Sequence, residues 1–191
     1  MELVFVRHGE SLANDLEKEK DGFFCGRWDC ELTESGRMQA RSLKGNSHVT
    51  GADAIFSSPL KRAVDTAYEF ADREIICDAR IIERSLGDFE GKWKQDLMAR
   101  EEYRKYFTEK RYEHFRHSFS LSAPHGENYG DVVLRVTPFL EDLKRRNDRK
   151  IVIVSHAIAI CCMLKVVQNL SEEDALKIRL MNCDPIRVEY C

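Results

Sequence analysis

An unbroken apolar run, Leu3-Val4-Phe5-Val6, stops at Arg7-His8-Gly9-Glu10, and a second, Ile151-Val152-Ile153-Val154, stops at Ser155-His156. Short runs with no polar alternation predict strands buried on both faces, as in a parallel sheet. Ala52 to Phe56, Glu74 to Cys77 and Ile186 to Tyr190 predict further strands. Apolar residues at helical spacing lie between them. Thr33 is placed to cap a helix from about Ser35 to Leu43, and Pro59 suits the first turn of a helix whose stripe is Leu60, Ala63, Val64, Ala67 and Phe70. A longer helix carries Val132, Val133, Val136, Phe139, Leu140 and Leu143, with a kink expected at Pro138, and another carries Ile158, Cys162, Leu164 and Val167. The alternation of strand and helix predicts an α/β fold, a mainly parallel sheet flanked by helices on both faces. With no repeat or linker, residues 1–191 read as one domain. From Trp93 to about His117 the chain turns charged and aromatic, which predicts a helical insertion over about 93–125 that serves as a lid.

Composition adds exclusions. Thirty Lys and Arg against 33 Asp and Glu leave a formal charge of −3, so nothing global draws the chain to nucleic acid or an anionic membrane. No apolar stretch approaches the roughly 20 residues needed to span a bilayer, and Glu2 stands where a leader would be basic. The expected location is cytoplasmic. The 7 Cys include no CxxC pair, and in a reducing compartment they are expected to be free thiols. Cys25 and Cys30 have no second Cys/His pair to complete a zinc site, so no metal is expected.

Arg7, His8, Asn14, Arg62, Glu83 and His156 all fall at strand ends or first helical turns. Two parallel strands ending at His8 and His156, if adjacent, bring two imidazoles and Arg7 into one pocket, where α/β folds place chemistry. Guanidinium, amide and imidazole donors suit a tetrahedral dianion. No Walker A loop or magnesium-type carboxylate cluster accompanies them. Phosphate chemistry without a metal needs a side-chain nucleophile, and a His kept neutral by neighbouring cations qualifies. Glu83, after Ile81-Ile82, is a candidate general acid. The plainer alternatives are an exposed Glu83 paired with Arg84 and a solvated Arg62 beside Lys61.

Arg7-His8-Gly9-Glu10-Ser11 with Asn14 resembles the signature of the histidine phosphatase superfamily, also called phosphoglycerate mutase-like. The likeness continues in order through Phe24-Cys25-Gly26, Asp29, Leu32-Thr33, Gly36, Gln39-Ala40, Ser57-Ser58-Pro59-Leu60, Arg62-Ala63, Thr66-Ala67, the Glu83-Arg84 to Gly91 loop, Gly126-Glu127 and Val154-Ser155-His156. The resemblance implies that His8 becomes a phosphohistidine and that Glu83 donates a proton and later helps activate water. It assigns the phosphate pocket to Arg7, Arg62 and His156, supported by Asn14 and by backbone around Gly26 and Ala157. Two departures stand out: Leu86 where mutases of the family typically have Tyr, and Ala157 where they have Gly. The insertion is also shorter than in cofactor-dependent mutases. A smaller lid retains a bisphosphorylated intermediate poorly, so the expected activity is cofactor-free hydrolysis of a small phosphorylated metabolite. The alternatives are a cofactor-dependent phosphoglycerate mutase and a non-catalytic phospho-ligand module.

Overall fold

The computed structural model describes residues 1–19 and 22–191. In chain order the elements are β1 (Glu2–Arg7), α1 (Leu12–Glu19), β2 (Phe23–Phe24), α2 (Glu34–Arg41), β3 (Ala54–Ser57), α3 (Lys61–Phe70), β4 (Ile75–Cys77), β5 (Lys92–Trp93), α4 (Lys94–Met98), α5 (Glu101–Thr108), α6 (Tyr129–Lys144), β6 (Lys150–Ser155), α7 (Ala157–Val167), α8 (Glu172–Lys177) and β7 (Ile186–Glu189). Five strands form one sheet in the order β4-β3-β6-β1-β7. β1, β3, β4 and β6 run parallel, and β7 closes the edge antiparallel to β1. The apolar runs occupy two adjacent interior positions, the central β6 and its neighbour β1, as strands covered on both faces must.

Alternation along β1 divides the core. Leu3 and Phe5, with Ile151 and Ile153, pack against Val136, Phe139 and Leu140 of α6 and Ile160 and Met163 of α7. Val4 and Val6, with Val152 and Val154, pack on the other face against Ala63, Ala67 and Phe70 of α3. Helices thus cover both faces, as the sequence pattern predicts.

Some local expectations shift. The helix starting at Leu12 went unpredicted, because it is only eight residues long and its apolar positions, Leu12, Ala13 and Leu16, are too few to set a helical spacing in the sequence. Pro59 precedes α3 instead of entering it, with Leu60 in the capping position. α6 continues through Pro138 to Lys144. Val64 and Val133 are only half-buried.

The charged and aromatic segment does form short helices, α4 and α5, followed by tight helical turns at Lys110–Tyr112 and Phe115–His117. Its aromatics do not pack on the main sheet. Tyr103, Tyr106, Phe107 and Phe115 instead surround Phe24 and Phe89, with ring centroids 5.2 to 6.2 Å apart, in a satellite core of their own. The small β2–β5 ribbon ties this core to the loop after α1.

Candidate active site

Because β1 and β6 pair in parallel with Arg7 opposite Ser155, both chains leave the sheet at the same level. His8 and His156 therefore face each other, with ring centroids 5.1 Å apart. Both are buried. The His8 Nδ1 lies 2.7 Å from the Gly9 carbonyl oxygen, which can only accept, so Nδ1 carries the proton and Nε2 keeps its lone pair. Burial first, then Arg62 and Arg7, lower the His8 pKa well below its ordinary value and keep the ring neutral.

His156 sits behind His8 and does not line the cavity in front of it. Its Nε2 is 2.7 Å from the Ser58 hydroxyl, which also receives the Leu60 N–H. The Nδ1 of His156 has no hydrogen-bond partner among the described residues. Burial and then Arg62 lower its pKa as well.

Arg62, in the first turn of α3, is a buried cation rather than a solvated one. Its guanidinium donates to the carbonyls of Gly26 and Trp28, both at 2.9 Å. The same loop caps α3: the Asp29 carboxylate accepts the Lys61 N–H at 2.9 Å, where a helix N-terminus has unsatisfied donors. Gly26 adopts φ +54, and a Cβ there meets Glu90 at 2.9 Å, so this turn requires glycine. Arg7 reaches the Leu180 carbonyl at 2.8 Å. The Asn14 side-chain oxygen accepts from Ser11, leaving its amide N–H groups for the cavity it borders.

The cavity has a volume of about 150 Å³ and is bordered by Arg7, His8, Asn14, Gly26, Arg62, Glu83 and Ala157. All the expected site residues except His156 thus meet at one wall. Glu83 does not pair with the Arg84 side chain; its Oε1 accepts the Arg84 backbone N–H at 2.6 Å. The Glu83 carbonyl is held by Arg27 at 2.9 Å and Arg135 at 3.2 Å, and both guanidiniums bind Glu127, which also accepts the Ser85 N–H. This bracket escapes sequence reading because its members are up to 100 residues apart in the chain.

Arg84 was also missed as a cavity residue. It is buried against the Tyr129 ring, 5.4 Å from its centroid, and its Nε and Nη1 have no hydrogen-bond partner among the described residues. Burial lowers its pKa from the usual guanidinium value. Leu86, Arg116 and His117 complete the rim, and Arg116 stacks 4.6 Å from the Phe24 centroid. Arg111, from the same segment, does not border this cavity; it pairs with Glu109 at 2.7 Å and stacks on Tyr112. Among the described residues no group of three or more His, Cys, Asp and Glu side chains is placed to hold a metal ion, and no helix is long and apolar enough to cross a membrane.

The histidine phosphatase superfamily (branch 1) profile matches residues 3–191. Phosphoserine phosphatase 1 of Hydrogenobacter thermophilus is 32% identical over 169 residues, covering 85% of this chain and 74% of that protein. A 2,3-bisphosphoglycerate-dependent phosphoglycerate mutase of Buchnera aphidicola is 28% identical, covering 98% and 92%. Among solved structures, mycobacterial glucosyl-3-phosphoglycerate phosphatase superposes with a TM-score of 0.82 at 25% identity, covering 98% and 92%. The chain belongs to the histidine phosphatase superfamily.

Proposed function

We propose that this member of the histidine phosphatase superfamily is a metal-independent phosphomonoesterase that acts on small phosphorylated metabolites in the cytoplasm through a phosphohistidine at His8. The carrying observation is the fixed His8 ring, a neutral imidazole with Nδ1–H bound to Gly9 and Nε2 available, set between two guanidiniums. In the first step Nε2 attacks phosphorus and the ester P–O bond breaks. Arg7 and Arg62 take the charge that develops on the phosphoryl oxygens, with Asn14 and backbone near Gly26 and Ala157 as further donors. Glu83 gives its proton to the leaving oxygen, then removes one from the water that hydrolyses the phosphohistidine.

Arg84 supports a narrower substrate class. A buried guanidinium with unmatched N–H groups at the rim of so small a cavity favours a substrate whose second anionic group completes it. Phosphoserine and phosphoglycerates, which the relatives' names mention, carry a carboxylate close to the phosphate. The reading is therefore a phosphatase for small phosphomonoesters bearing a carboxylate.

The test is a panel of phosphorylated metabolites assayed for phosphate release with and without 2,3-bisphosphoglycerate, and with and without EDTA. Release from carboxylate-bearing esters, unaffected by either addition, supports the reading. Isomerisation that depends on the bisphosphate assigns a mutase, and loss with EDTA restored by a divalent ion assigns a metallophosphatase. Arg84→Gln should lower kcat/KM for the carboxylate-bearing ester by about 10- to 100-fold, the worth of a charged hydrogen bond, and leave an aryl phosphate nearly unchanged.

A further inference from the structure

We infer, on the reading that Glu83 is the proton donor, that Arg27 and Glu127 are the positioning residues of that acid: they hold the peptide that aims its carboxylate and fasten it to the loop that holds Arg62. Neither side chain borders the catalytic cavity. Both are half-buried.

The unit they act on is the peptide joining Glu83 to Arg84. It is planar, so its C=O and N–H turn together. The N–H donates to the Glu83 Oε1 at 2.6 Å, which ties the carboxylate to the plane of that peptide. The C=O accepts from the Arg27 Nε at 2.9 Å and from the Arg135 Nη2 at 3.2 Å. The other carboxylate oxygen has a weaker hold, the Ile158 N–H at 3.4 Å. A twist of the peptide therefore swings the carboxylate, and the two guanidiniums oppose that twist.

Two guanidiniums on one carbonyl oxygen repel each other unless an anion offsets them. Glu127 is that anion. Its Oε1 accepts from the Arg27 Nη2 at 2.9 Å and the Arg135 Nε at 3.0 Å, and its Oε2 from the Arg135 Nη2 at 3.1 Å and the Ser85 N–H at 3.0 Å. The Glu127 N–H donates in turn to the Ser85 carbonyl at 2.9 Å, so the residue beyond Arg84 is held too.

The two cations are anchored differently. Arg135 is fixed on its own side by the Arg80 carbonyl, 2.6 Å from Nη1. Arg27 lies in the chain between Gly26 and Trp28, whose carbonyls receive the Arg62 guanidinium at 2.9 Å. One side chain therefore spans from the cradle of Arg62 to the acid loop, and the spacing between proton donor and phosphoryl group is governed through it.

Glu127→Gln keeps the shape of the side chain and breaks the arrangement. Both carboxylate oxygens receive N–H groups, so either orientation of the amide turns its own NH₂ against donors. For an alkyl phosphomonoester kcat should fall by about 10- to 100-fold, the scale of a misplaced catalytic group. The rate with p-nitrophenyl phosphate, whose leaving group needs no proton, and the affinity for inorganic phosphate should stay close to wild type. The deciding comparison is the double variant Glu83→Gln, Glu127→Gln. It should be no slower on the alkyl ester than Glu83→Gln alone, because with the acid gone nothing is left to aim. Should Glu127→Gln fail to fold, Arg27→Gln on the other loop decides, with the same selective loss and the same lack of additivity expected. Equal losses on the two esters, no loss on either, or losses that multiply in the double variant overturn the positioning role. If Glu83→Gln itself slows both esters alike, the acid assignment falls and this role with it. A selective Glu83→Gln beside an unselective Glu127→Gln and Arg27→Gln sinks the positioning role alone.

Discussion

In the proposed mechanism His8 attacks phosphorus only while its ring is uncharged, so the pH at which it protonates sets the acid limit of that reaction. Burial, Arg62 and Arg7 all oppose the imidazolium, which places that limit below the ordinary value of 6.5. The kcat/KM for an activated aryl phosphate should therefore stay level from pH 7.5 to 6.5 and decline only below; a decline already under way above pH 7 would show a protonated His8 in the free enzyme. Glu83 is tested through the leaving group. Glu83→Gln should slow alkyl esters by roughly 10² to 10⁴, the usual range for general acid catalysis, and aryl phosphates far less. An equal loss on both would mean that another group supplies the proton. At this scale the sequence disclosed the residues whose chemistry is local: a His that ends a strand, an Arg in a first helical turn. It did not disclose that Arg84 turns into the cavity, because adjacent side chains in a loop have no period from which direction can be read.

Elements meet the site through backbone contacts that side-chain patterns do not record. A Cβ on Gly36 of α2 falls 1.9 Å from the Glu10 carbonyl oxygen, and one on Gly9 falls 2.4 Å from the Gly36 carbonyl oxygen. The start of α2 is thus pressed against the turn that follows His8, and Thr33 adds a hydrogen bond from its N–H to the Glu10 carbonyl at 2.9 Å. Both sides of the contact are backbone, so neither can swing away. Gly36→Ala should cost about 1 to 3 kcal/mol by overpacking, read as a lower urea midpoint with unchanged m. Its kcat should also drop, since the strained turn carries the Gly9 carbonyl that orients His8; a stable, fully active variant would mean the turn relaxes freely. The Thr33 cap and the α3 stripe were legible because capping residues and helical spacing are local signals. The cap on α3 was not, since Asp29 comes from a loop 32 residues before Lys61.

The whole molecule turns one topological fact, the parallel neighbours β1 and β6, into a buried pair of neutral imidazoles. In the sequence that adjacency stood only as a condition on two apolar runs ending in His, since strand order depends on how the intervening helices cross, which no local pattern fixes. Holding His8 and His156 uncharged also has a consequence for stability. Both pKa values are depressed in the folded state, whereas in the unfolded chain each ring titrates near 6.5. Above that pH both states are neutral and the pair has no effect on the balance. Below it the unfolded chain takes up protons that the folded one refuses, so stability falls as pH falls, by at most about 1.4 kcal/mol per pH unit for each ring. Urea unfolding at pH 7.5 and pH 5.5, a window above most carboxylate titration, should show the loss in wild type. The double variant His8→Asn, His156→Gln should show a much shallower one, with a residue left by His117, whose pKa is also lowered by burial. Equal slopes for the two proteins would mean that the imidazoles are solvated or charged in the folded state, and the neutral nucleophile would go with them.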